Sequence, residues 1–144
     1  MNDETNFHSN AEPIIAGACS PADIKRAELA LGVSITGEYK EFLLNHGALI
    51  ANGKSIYGLF DLSSNDPPLW DDLIDVNIML RKNNQIGSEN RNFIAISDDG
   101  QGTYYFLDTK SSNTNIHAIG PDVNKIVSTS LDDFISNYSG SWWR

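Results

Sequence analysis

Apolar residues recur along this chain first with the period of helices and then with the alternation of strands, and the change of period separates its regions. Ile24, Ala27 and Leu31 fall at i, i+3 and i+7, which predicts one amphipathic helix. Its start is marked by Ser20-Pro21-Ala22-Asp23, a serine N-cap, a proline at the first helical position and an acid three residues after the cap. Gly32 supplies the left-handed residue that ends it. A second helix follows, capped by Thr36, with Tyr39, Phe42, Leu43 and His46 on one face and Glu38, Lys40 and Glu41 in water, until Gly47 closes it. His46 stands in the last turn, where a partly protonated imidazole is favoured by the helix dipole.

Beyond Gly47 the pattern becomes strand-like. Ser55 to Phe60 is short, aromatic and β-branched, bounded by Asn52-Gly53 and Asp61, and Gly58 within it marks a bulge or a close backbone approach. Ser63 to Pro68 is rich in turn residues, after which Leu69, Leu73, Val76 and Leu80 predict a third helix ending near Lys82. Phe93-Ile94-Ala95-Ile96 and Thr103 to Leu107 predict an antiparallel hairpin, joined by Ser97 to Gly102 with two glycines suited to positive φ. A polar loop from Lys110 to Asn115 leads to a strand at Ile116 to Ile119. Ser130-Leu131-Asp132-Asp133 then caps a small helix carrying Phe134, Ile135 and Tyr138. Residues 1–13 lack periodicity and read as a flexible N-terminal arm, so residues 14–144 form the domain. Trp142 and Trp143 follow the last helix without an assigned place.

Composition adds three constraints. A chain of 144 residues with 40% hydrophobic positions suits one globular core. Nineteen Asp and Glu against ten Lys and Arg give a formal charge of -9, which opposes direct nucleic-acid binding and favours rapid encounter with a basic protein. The single cysteine, Cys19, forms no intrachain disulfide. The polar, acidic start of the chain lacks the basic and apolar regions of a signal peptide, and no apolar run reaches membrane-spanning length. The expected location is therefore the cytoplasm, with no membrane partner.

Three stretches taken in order, DIKRAELALGVSITGEYKEFLLNHGALI, SIYGLFDL and NFIAISDDGQGTYYFLDT, resemble the SUKH (SMI1/KNR4-like) superfamily. The elements that carry the resemblance are a short helix ending in Leu-Gly, a Tyr-Lys-Glu-Phe-Leu helix closed by glycine, a Tyr-Gly-Leu strand followed by an acid, and an Ile-Ala-x-x-Asp-x-Gly-x-Gly turn. The resemblance covers roughly Pro21 to Tyr138. Ile35-Thr36-Gly37 departs from the proline often found at the second helix, and Ala48-Leu49-Ile50 replaces a glycine-rich run. The resemblance implies a single α+β domain, an antiparallel β-sheet flanked by short helices. It also implies an immunity protein that neutralises a bacterial polymorphic or contact-dependent toxin, often a nuclease. Some relatives of this kind are instead regulatory or scaffold proteins.

No reactive constellation stands out. His8, His46 and His117 are far apart and lack metal-ligand spacing, so no metal, cofactor or catalytic residue is assigned. The glycines of Asp99-Gly100-Gln101-Gly102 join two strands and have no following lysine, which excludes a phosphate loop. Asp98 and Asp99 read first as turn acids, lacking the alternate oxygen ligands of a Ca²⁺ loop. The sharpest charge signal is Asp61 to Asp75, which holds Asp61, Asp66, Asp71, Asp72 and Asp75 without Lys or Arg. Its ordinary reading is a solvated loop and helix start; its functional reading is a docking face in which Leu69 and Trp70 anchor and the aspartates meet a basic toxin surface. Asp98 and Asp99 join these as candidate partner-binding residues.

Overall fold

A computed structural model describes residues 14–51, 54–60, 71–83, 92–111 and 113–139. In chain order the elements are β1 (Ile14–Ile15), α1 (Pro21–Leu31), α2 (Gly37–His46), β2 (Leu49–Ala51), β3 (Lys54–Ile56), α3 (Leu73–Lys82), β4 (Phe93–Asp98), β5 (Tyr104–Asp108), β6 (Ile116–Gly120), β7 (Val123–Ser128) and α4 (Leu131–Ser139). The strands form one seven-stranded sheet in the order β1-β2-β3-β4-β5-β6-β7, every neighbouring pair antiparallel. The chain is thus a single α+β domain. Asn52, Gly53, the loop read at Ser63 to Pro68, Leu69, the arm at 1–13 and the tryptophan pair lie outside the described residues.

Helix α1 forms as its local signals dictate. Ser20 and Asp23 make a reciprocal capping box, Pro21 opens the helix, and Gly32 closes it at φ 69°. Ile24, Ala27 and Leu31 are its buried stripe. In α2 the buried residues are Tyr39, Phe42 and Leu43, but Thr36 makes no side-chain cap bond. Glu38, expected in water, is half-buried, and its Oε1 accepts the Leu131 N–H at 2.9 Å, tying α2 to the start of α4. His46 also departs from expectation: burial lowers its pKa, so its ring favours the neutral form beside Phe42 at 5.7 Å.

The strand read from Ser55 onwards is shorter than expected. β3 ends at Ile56, whose partner on β4 is Ser97, and Tyr57 then gives its N–H to the Ile96 carbonyl at 2.8 Å. At Gly58 the chain turns to new partners. Its N–H meets Asp71 O at 3.1 Å, its carbonyl accepts the Leu73 N–H at 2.8 Å, and Leu59 bonds to Gly47 O at 3.0 Å. A side chain at Gly58 would place its Cβ on the Gly47 carbonyl, so the predicted close approach is here.

This departure positions α3. Asp72 caps α3, and one turn later Asn77, fully buried, lies against β4 where β3 no longer reaches. Its Oδ1 accepts the Ala95 N–H at 2.7 Å, and its Nδ2 donates to Ala95 O at 3.0 Å and Leu73 O at 2.8 Å. One amide thereby replaces the two ladder bonds of a missing strand residue. The core includes Tyr39, Phe42, Leu43, Leu59, Leu73, Leu80, Ile94, Ile96, Phe106 and Ile116, all below 2% exposed.

Candidate docking site

The hairpin and the start of α3 bring together acids that are distant in sequence. β4 and β5 are joined by a tight turn held by the two aspartates at its base. Asp98 Oδ1 accepts the Gly100 N–H at 2.8 Å, while Asp99 Oδ1 accepts those of Gln101 at 2.7 Å and Thr103 at 3.1 Å. Gly100 and Gly102 take φ of 76° and 102°, the positive values read from their spacing. Both acids serve the turn, and Asp98 has a further partner: the Tyr57 hydroxyl donates to its Oδ2.

Asp71 completes the group from the other side. It is exposed immediately before α3, and its backbone is fastened by Gly58. Its charge and that of Asp98 bear on the same two phenols, Tyr57 and Tyr104. Burial first, then the hydrogen bond to Asp98 and these two negative charges, push the Tyr57 hydroxyl far above its ordinary pKa. Tyr104 is raised more modestly by burial and the same charges. Both phenols therefore remain protonated donors among carboxylates. The result is a group of acids, Asp71 exposed and Asp98 half-buried, around buried Tyr57 and half-buried Tyr104.

The remaining predicted residues separate. Asp75 is exposed in the first turn of α3. Asp72 faces inward, 9% exposed, and its carboxylate accepts the Ile74 and Asp75 N–H groups at 2.7 and 3.3 Å. Its role is the helix cap. Burial raises its pKa, and the two N–H bonds only partly offset that rise. Asp61, Asp66, Leu69 and Trp70 lie outside the described residues. Tyr57 and Tyr104 were not among the residues read from sequence as partner-binding, because nothing local links either to Asp71.

The other chemistry-bearing groups stand apart from this patch. Among the described residues no cluster of three His, Cys, Asp or Glu could hold a metal ion. Cys19 is buried, and burial raises its thiol pKa, which keeps it a poor nucleophile. His117 on β6 lies against Phe93 at 4.8 Å. A cleft between Ser34 to Gly37 and the β5–β6 loop has a volume of about 50 Å³. No helix among the described residues is long and apolar enough to cross a membrane.

Comparison with known families matches residues 21–135 to a family model described as SMI1-KNR4 cell-wall. Comparison with curated proteins gives no match.

Proposed function

The chain belongs to the SMI1-KNR4 family over residues 21–135, and from that premise we propose that it is an immunity protein which binds and neutralises a cognate bacterial toxin domain. Its partner is a basic protein, most simply a nuclease, whose cleft is positive because it must hold a phosphate backbone. The observation that carries this reading is the acidic patch. Asp71 and Asp98 both bear on protonated Tyr57 and Tyr104, and the Tyr57 hydroxyl donates to Asp98. Such a surface steers a basic partner into contact and occludes it without reacting. Asp75 belongs to the proposed docking face, and Asp61, Asp66, Leu69 and Trp70 are candidates for it from the sequence alone. Asp99 belongs to its turn, and Asp72 supports the face from beneath through the α3 cap.

The cell-wall wording of the matching family supports a second reading, a regulatory or scaffold protein acting on a cellular partner in the cytoplasm. One experiment separates the two. The chain is used as bait in its native host, and the leading co-purifying protein is expressed alone and together with it. The immunity reading expects a toxin whose expression arrests growth and whose toxicity is silenced by this chain. Recovery of housekeeping partners only, with no growth protection, would support the regulatory reading and sink the first.

A further inference from the structure

β7 ends the strand order, and no described strand pairs with its outer edge. Every second residue of such a strand turns its N–H and C=O away from the neighbour it has. β7 has a six-residue span, and β1, at the opposite end of the sheet, has two. Natural edge strands are usually short or heavily charged. This one exposes Ile126 and Val127 at 49% and 39%, in a shallow depression shared with Ser128, Thr129 and Asp133.

The occupant follows from charge. Lys125 is the one cation on β7, whereas exposed carboxylates flank the strand at Asp122, in the β6–β7 turn, and at Asp133, on α4. A second copy would bring the same negative surroundings and a formal charge of -9 to the contact. A basic strand would neutralise them while its apolar residues cover Ile126 and Val127. We propose that β7 accepts an extended, basic and apolar segment of a partner protein as an additional antiparallel strand. β7 lies three strands from β4, its leading turn meeting the β4–β5 turn where Pro121 faces Gly102, and the inference does not require the partner to be a toxin.

The test is an amide NMR titration of the full chain with a synthetic strand-length peptide of alternating valine and lysine. Two controls accompany it, a twin N-methylated at alternate backbone positions and a valine–glutamate version. Strand addition predicts shifts and slowed hydrogen exchange along β7, with both controls at least about tenfold weaker. Ile126→Lys and Val127→Lys, each checked for an unchanged thermal midpoint, should both weaken peptide binding. Equal binding of the N-methylated twin, or shifts confined to the Asp71 and Asp98 patch, would overturn the proposal. Concentration-dependent protection of β7 without peptide would also overturn it, assigning the edge to a second copy. Growth protection by this chain can succeed or fail independently of each result.

Discussion

Strands β4 and β7 each reach a place where no described strand lies alongside, and the chain treats the two places differently. At β4 the vacancy left when β3 turns away at Tyr57 is filled by α3, whose Asn77 amide takes both backbone bonds of Ala95. At β7 no described strand pairs with the outer edge, and Ile126 and Val127 are exposed. The first solution is required because Ala95 is fully buried, and an unpaired N–H or carbonyl there would have no water to bond. The second is permitted because water satisfies the exposed edge, which leaves it available to another chain. Unpaired backbone is a stability problem in the interior and a binding opportunity at the surface.

Substitutions on the closed side should produce the largest effects. Gly58→Ala would force a Cβ onto the Gly47 carbonyl and push the chain after β3 away from the end of α2. It should cost more than about 3 kcal/mol, seen as loss of the cooperative thermal transition or a greatly lowered midpoint. A tolerated alanine would show that the backbone packing around Gly58 can relax. Asn77→Leu keeps approximate volume but abandons the Ala95 N–H and C=O, so a loss of about 3 kcal/mol in urea unfolding is expected. If that variant were as stable as the parent, the amide would not be closing the edge.

Asp72 sharpens the comparison because its two natural functions, charge and cap, can be separated. Asp72→Ala should lose about 1 kcal/mol with the α3 cap, whereas Asp72→Asn keeps the accepting oxygen and should stay close to the parent at neutral pH. The sign follows from its raised folded-state pKa. Its contribution is greatest where the acid is protonated, below the unfolded value, and is lost as pH rises through the folded one. The stability gap between the parent and the asparagine variant should therefore vary with pH across the acid range and level off above it. A gap that is flat with pH would remove burial as the cause. The smallest stability change belongs to the open side: Ile126→Lys, at an exposed position, should alter unfolding by no more than about 0.5 kcal/mol. A large loss would mean that Ile126 is covered within the folded chain.

What could be read from sequence divides along the same lines. α1 was legible throughout because its cap, first residue, buried stripe and terminating glycine are all local, from Ser20 to Gly32. The β4–β5 hairpin was legible for the same reason, its turn acids and glycines lying between the strands they join. The exit of Tyr57 from the ladder and the burial of Asn77 were not, since both depend on where β3 stops relative to β4. β2 was hidden because Leu49 to Ala51 is too short to show a period, and β7 because its exposure on consecutive residues erases alternation. The acidic patch was half legible. Asp71 and Asp98 were each identified as candidates, but their meeting over Tyr57 and Tyr104 is a product of the fold. Asp72 belonged to the same charge run in sequence, and only its inward direction separates it from Asp71.

The most direct test of the account is the association rate constant between this chain and the basic partner proposed for it, measured by stopped-flow across a range of ionic strength, with an Asp71→Asn, Asp98→Asn double variant in parallel. Docking through the acidic patch predicts a rate that falls steeply with added salt, and a flatter dependence for the double variant. A rate indifferent to salt, or a variant with the parent's slope, would contradict it.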